Sequence, residues 1–361
     1  MRMRWLWMGC AVGMVAACAL VARSDAQAKE AAPAVTRVPV LADGSVEVPA
    51  ETVPMSKFLS PEGKAYLNKH LHDMQDPAMT YMAKGIPRFM VPYLERDKVL
   101  FPVTVQDTKI GGVHVLVFEP VGGVKASERE RVLIDLHGGG FSGCWPGCAE
   151  LESRPVASVG GMKVVSVDYR EGPENKFPAA SEDVAAVYRE LLKTYKAEDV
   201  GVYGCSAGGM LTAESVAWFQ THGLPRPGAV GIFCAGAGDF GGDAQYTSTP
   251  LGEGRMMPMP AKGAARIGYF AGTNPRDPMV EPLYDADVMR RFPPTLVITG
   301  TRDFAMSAAL YTHEQLVHDG VDAELHVWEG MFHGFFYNPD VPESQDAYRV
   351  MVGFFDKHLG R

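Results

Sequence analysis

The sequence has no internal repeat and, past its first thirty residues, no low-complexity tract. That excludes the stacked repeat architectures. It has no excess of positive charge. Its 34 Lys and Arg face 43 Asp and Glu, for a net charge of −9. An acidic chain is a poor partner for nucleic acid or an anionic membrane surface, so neither is expected. Cysteine is scarce as well. Of six, Cys10 and Cys18 lie near the N-terminus, leaving Cys144, Cys148, Cys205 and Cys234. Cys144 and Cys148 have no second Cys or His pair at zinc-site spacing, so no metal is expected. The glycines at 138–140 are not followed by Lys-Ser or Lys-Thr, and no G-x-G-x-x-G spacing opens a helix there. A phosphate cradle is therefore disfavoured.

Apolar residues make up 47% of the 361. That is enough to bury a full-sized core in one large domain or two small ones. Residues 1–28 read as an export signal. Arg2 and Arg4 precede an uncharged apolar run from Trp5 to Ala22, and Ala26-Gln27-Ala28 fits a small-x-small cleavage site. The run is at the short end for a membrane span, so no stable span is expected. A periplasmic or secreted protein is. Val15-Ala16-Ala17-Cys18 also resembles a bacterial lipobox, which leaves a lipid anchor at Cys18 open. In an oxidising compartment Cys144-Trp-Pro-Gly-Cys148 can close a disulfide across its Pro-Gly turn; two free thiols are the rival reading.

Residues 29–55 lack periodicity and read as an N-terminal arm. Residues 56–97 read as loosely packed helices interrupted by Pro77, Pro87 and Pro92. From 98 to 361 the pattern changes to that of a single α/β domain. Leu100–Val105 and Val113–Phe118 flank Gly111-Gly112 as a hairpin. Short β-branched runs then alternate with amphipathic stretches. The runs are Val132–Leu136, Val164–Val167, Val200–Tyr203, Ala229–Cys234, Thr295–Thr299 and Glu324–Trp328. This alternation predicts a mostly parallel sheet covered by helices on both faces, with the hairpin as its antiparallel edge. Chemistry on such a sheet belongs beyond the carboxyl ends of the strands.

Three sites meet that rule. Gly204-Cys205-Ser206-Ala207-Gly208 is a G-x-S-x-G motif between a strand and a helix, the setting of a nucleophile elbow. His137-Gly138-Gly139-Gly140-Phe141 follows Val132–Leu136 and offers backbone amides to a substrate oxyanion. The amide of Ala207, next after the nucleophile, adds a donor. In this fold the acid and then the histidine follow the serine in chain order. Asp303 sits after Thr295–Thr299 and His333 after Glu324–Trp328, so both positions qualify. Imidazole can take the serine proton near neutrality, and the carboxylate orients the ring. The other histidines fit less well. His70 and His72 are two apart and do not share a helix face, and His137 suits a structural hydrogen bond.

Together these residues resemble the bacterial esterase branch of the hormone-sensitive-lipase family of α/β-hydrolases over about residues 100–360. The resemblance rests on His137–Phe141, Asp168-Tyr169-Arg170 with Pro173-Glu174 and Phe177–Ala180, Gly204–Gly209, Asp277-Pro278, and Asp303 with Gly330–Phe335. It implies an α/β-hydrolase catalytic domain over 98–361 with an eight-stranded sheet, a helical cap supplied by residues 56–97, oxyanion donors at Gly139, Gly140 and Ala207, and hydrolysis of short- to medium-chain acyl esters through an acyl-enzyme, with no cofactor. The partner implied is a small-molecule ester; the pattern fixes no oligomeric state. Two departures stand out. Cys205 occupies a position usually Asp or Thr, and Glu171-Gly172 replaces the usual Leu-Ala before Pro173. Carbohydrate acetyl-ester or lactone hydrolysis is an alternative. A ligand receptor that has lost catalysis is a further one, disfavoured because His333 is retained.

Overall fold

The structure is a computed structural model, and it describes residues 37–256, 266 and 268–360. The expected signal, its Cys18 and residues 29–36 of the expected arm lie outside the described residues. The chain forms two compact units, Met1–Thr52 and Val53–Arg361. In the first, a turn brings Val40 opposite Val46, and the Leu41 amide donates to the Ser45 carbonyl at 2.7 Å.

The second unit is built on an eight-stranded sheet. Its strands are β1 (Val103–Ile110), β2 (Val113–Pro120), β3 (Val132–Leu136), β4 (Lys163–Val167), β5 (Val200–Cys205), β6 (Ala229–Phe233), β7 (Thr295–Arg302) and β8 (Ala323–Phe332). Their spatial order is β8-β7-β6-β5-β3-β4-β2-β1. All neighbours from β4 to β8 pair in parallel, while β2 is antiparallel to both β4 and β1. Of the predicted antiparallel pair, then, only β2 runs against the rest.

Every residue of β3, β5 and β6 is buried. This is what their unbroken apolar character demands when helices cover both faces. Alternate side chains go to opposite layers. Leu133, Val164 and Tyr203 join one apolar cluster, while Ile134, Val165 and Val202 join the other. The main helices are α1 (Pro61–Gln75), α2 (Val91–Leu100), α3 (Gly147–Gly160), α4 (Ala179–Leu191), α5 (Ala207–Thr221), α6 (Ala244–Glu253), α7 (Met306–His318) and α8 (Pro342–His358). Residues from α1, α2, α3 and α8 pack in the first cluster; those from α4 and α5 pack in the second.

Two expectations need correction. The first strand begins at Val103, because Val99 and Leu100 still belong to α2. The helix α3, absent from the sequence reading, crosses between β3 and β4. Strand order reverses at β3: β4 lies on one side of it and β5 on the other. The loops after β3 and β5 therefore face the same crevice at the switch point.

Candidate active site

Ser206 stands between β5 and α5 with φ 57° and ψ −118°. A non-glycine residue in such a conformation costs about 1–3 kcal/mol and persists only where its surroundings fix it. Here the Ser206 amide donates to the Phe233 carbonyl at the end of β6 (2.8 Å), and its carbonyl accepts from Met210 (3.0 Å). The helix start also presses on the end of β3. A Cβ on either Gly204 or Gly208 would overlap the Leu136 carbonyl oxygen. Both glycines of the motif are thus required by close approach, not by their own dihedrals.

The loop after β3 is held by its neighbours. Gly139 and Gly140 have φ of 125° and 66°. The Gly138 amide donates to Glu152 Oε1 at 2.9 Å. No protein acceptor is recorded among the described residues for the amides of Gly139 and Gly140. His137 is buried, its ring stacked on Tyr169 at 4.4 Å, and the Tyr169 hydroxyl donates to its carbonyl at 2.6 Å. The ring of Phe141 stacks on Tyr269 at 4.8 Å. Cys144 and Cys148 are joined by a disulfide with their Cα atoms 5.4 Å apart. Cys205 and Cys234 are free and buried.

Asp303 follows β7 and is fully buried. Its Oδ1 accepts from the Ala305 amide (2.8 Å) and lies 2.8 Å from His333 Nδ1, while Oδ2 accepts from the Thr299 hydroxyl (3.0 Å). Burial alone would raise the Asp303 pKa, but the charge of His333 and these hydrogen bonds hold it below the ordinary value. For His333, burial presses the pKa down and the Asp303 carboxylate more than reverses it, to about 9. The ring also stacks on Phe304 at 4.1 Å. A base of this kind has Nδ1 committed to the acid, leaving Nε2 for proton exchange.

A family described as the alpha/beta hydrolase fold matches residues 133–337, more than half the chain. An esterase from the bacterial hormone-sensitive lipase family aligns over 82% of this chain and 99% of its own, with TM-score 0.67 and 26% identity. The chain belongs to the hormone-sensitive-lipase family of α/β-hydrolases. A second crystal structure, of an esterase called E25, aligns over 87% of this chain and 99% of its own, with TM-score 0.71 and 26% identity. An acetyl-hydrolase of Streptomyces hygroscopicus is 29% identical over 244 residues, 65% of this chain and 78% of that protein.

Against the family pattern, the Glu171-Gly172 departure has a visible consequence. Glu171 Oε1 accepts from the Gly143 amide at 3.1 Å, and the Gly172 amide donates to the Phe141 carbonyl at 2.8 Å. The substituted pair thus ties down the far side of the oxyanion loop. Burial pushes the Glu171 pKa up to about 7.

The sequence reading missed Glu152. Buried on α3, it accepts from the amides of Gly138 and Cys205 (2.9 and 3.2 Å) and from the Tyr337 hydroxyl (2.8 Å). One carboxyl group therefore links the oxyanion loop, the elbow and the segment after His333. A glutamate on an otherwise apolar helix face was the available signal, but that helix had not been recognised.

A pocket of about 310 Å³ opens beside His333. Its walls include Tyr66, His70 and Met74 of α1, Phe89 and Met90, Glu253 at the end of α6, and Arg255. His70 and His72 do take different faces, as their spacing requires. His70 is buried, whereas the His72 ring reaches back to the Asn68 carbonyl at an exposed position.

Proposed function

We propose that this family member hydrolyses short- to medium-chain carboxylic esters through a Ser206–His333–Asp303 triad and an acyl-enzyme. The ester-hydrolase class follows from the family and from relatives named as esterases and acetyl-hydrolases. The Asp303–His333 hydrogen bond at 2.8 Å carries the mechanistic reading. It supplies an oriented base on the loop where the fold's chain order calls for one.

Ser206 Oγ attacks the acyl carbon as its proton passes to His333 Nε2. The tetrahedral oxyanion is held by the amides of Gly139, Gly140 and Ala207. His333 then gives the proton to the departing alcohol, and Ser206 is left acylated. Water attacks the acyl-enzyme through the same base, releasing the acid and restoring the serine hydroxyl. Asp303 stays ionised and stabilises the imidazolium formed in each half.

The test is hydrolysis of p-nitrophenyl esters from acetate to palmitate by residues 29–361 and by Ser206→Ala. We expect activity highest on short acyl chains and at least ~10³-fold lower in the variant. Wild-type protein that is folded but inactive on every ester, and unlabelled by a fluorophosphonate, would overturn the reading.

We also place this activity outside the cytoplasm, with cleavage after Ala28. The Cys144–Cys148 disulfide supports an oxidising compartment. Mass spectrometry of the protein from its native cells checks this: a chain starting at Lys29 is expected. A lipid mass on Cys18 would mean anchoring instead, and an intact Met1 would refute export.

A further inference from the structure

The oxyanion loop has a backbone that cannot hold itself. From 139 to 144 every residue but Ser142 has positive φ: Gly139 125°, Gly140 66°, Phe141 55°, Gly143 151° and Cys144 90°. Phe141 and Cys144 carry side chains, and such residues keep this conformation only where their surroundings fix it. Inside the loop the Ser142 amide donates to the Gly139 carbonyl at 3.2 Å. The rest of the restraint comes from other segments.

Those restraints meet at Gly143. Its amide donates to Glu171 Oε1 at 3.1 Å. Its carbonyl oxygen lies against the α-carbon of Gly139, where an added Cβ would come within 1.9 Å of it. Its successor Cys144 is tied to Cys148 in the first turn of α3. A shift of Gly143 therefore moves the backbone of Gly139 directly.

Glu171 is in turn well anchored. Its carbonyl accepts from the amide and the side-chain nitrogen of Asn175, both at 3.1 Å. The preceding Arg170 is bound to Asp183 of α4, through its amide at 2.8 Å and its Nε at 3.0 Å. The line of support runs from α4 through Glu171 and Gly143 to Gly139. Leucine, the usual residue at position 171 in the resemblance above, has no acceptor for the Gly143 amide. This side-chain tie is thus a property of this chain.

We propose that Glu171 is a positioning residue for the oxyanion donors, setting the Gly139 and Gly140 amides by holding Gly143. This rests on the ester-hydrolase reading above. Both half-reactions of that mechanism pass through an oxyanion, whereas the bound ester carries none. Loss of the tie should therefore slow acylation and deacylation together. The expected signature is a lower kcat with KM nearly unchanged.

The test compares wild type, Glu171→Leu and Glu171→Gln on p-nitrophenyl butyrate. Rates are taken per active site titrated with a fluorophosphonate, so loss of folded protein does not enter. Glu171→Leu is expected to lower kcat by ~10-fold, about the worth of one hydrogen bond to a charged group, with KM within ~2-fold. An alkyl trifluoromethyl ketone, to which Ser206 adds to form a tetrahedral oxyanion, should bind Glu171→Leu ~10-fold more weakly. Glu171→Gln keeps an acceptor oxygen and should recover both values to within ~3-fold of wild type. Should Glu171→Leu fail to fold, Glu171→Ala takes its place with the same expected outcomes.

An unchanged kcat in Glu171→Leu, a loss carried by KM alone, an unmoved affinity for the ketone, or a Glu171→Gln as impaired as Glu171→Leu would overturn the proposal. In each of these cases the wild type still hydrolyses the ester, and the esterase reading survives. No hydrolysis of any ester by wild type together with no fluorophosphonate labelling would overturn both.

Discussion

Asp303, on the loop after β7, and Glu152, on α3, are both buried carboxyl groups at the same end of the sheet, and the protein treats them in opposite ways. Asp303 faces an imidazole and two further donors, and its pKa is held down despite burial. Glu152 faces two amides and a phenol but no cation. Burial, aided by the neighbouring Asp135, pushes its pKa well above the ordinary value. Burial penalises charge in both places. What separates them is whether a partner gains a charge in return. In the proposed mechanism the first region stabilises an ion as the reaction proceeds. The second is a hydrogen-bonding hub that fixes backbone, at a place where burial favours the uncharged carboxyl.

The contrast is broken most severely by Asp303→Asn. The amide keeps the volume but cannot stabilise imidazolium, and kcat is expected to fall ~10³- to 10⁴-fold. The pH profile should move with it. His333 must be neutral to act as base, so with its pKa lifted to about 9 the ascending limb of kcat/KM lies above the ordinary histidine value of 6.5. Without the carboxylate, burial is opposed only by the lesser influence of Cys205 and Glu253, and the limb of the residual activity should move to lower pH. A pH–rate series on both proteins checks this.

Glu152→Gln sharpens the contrast. If the native group is uncharged, an amide loses only the acceptor for the Cys205 N–H, and kcat/KM should stay within ~10-fold with the limb unmoved. A loss as deep as that of Asp303→Asn would mean that Glu152 acts as an anion. Glu152→Ala is a stability test. It strands the Gly138 and Cys205 amides and the Tyr337 hydroxyl, each at about 1–3 kcal/mol, and thermal melting should fall by many degrees. The smallest effect is expected for Cys144→Ser. Its loop spans only four positions, so chain-entropy arguments allow about 2 kcal/mol. A melting point lowered by a few degrees is the expected outcome.

What could be read from the sequence was governed by backbone constraints local to a few residues. Gly204, Gly208, Gly139 and Gly140 are needed where carbonyl oxygens or positive φ exclude a side chain, and such needs leave short motifs. The buried parallel strands were legible because both faces are apolar. The first strand was misplaced because it is a polar edge, with only Val103, Thr108 and Ile110 partly covered, while the adjacent apolar Val99 and Leu100 end a helix. Helix α3 escaped because Pro155 interrupts it and Gly147 and Gly160 bound it, all residues that ordinarily argue against a helix. Glu152 gains its meaning only from the loop, the elbow and the segment after His333 that folding brings to it, and its one local signal lay on the unrecognised helix.

The stack of His70 on Phe332 has one more consequence. Phe332 immediately precedes His333, so the wall of the pocket and the proposed base are mechanically continuous. A ligand that pushes α1 outward also tugs on the strand end that carries the imidazole. Trimming the first helix to admit bulkier esters would therefore loosen the base while widening the cavity. Engineering for a larger substrate should start from Met90, not from Phe89, whose ring also packs against His70.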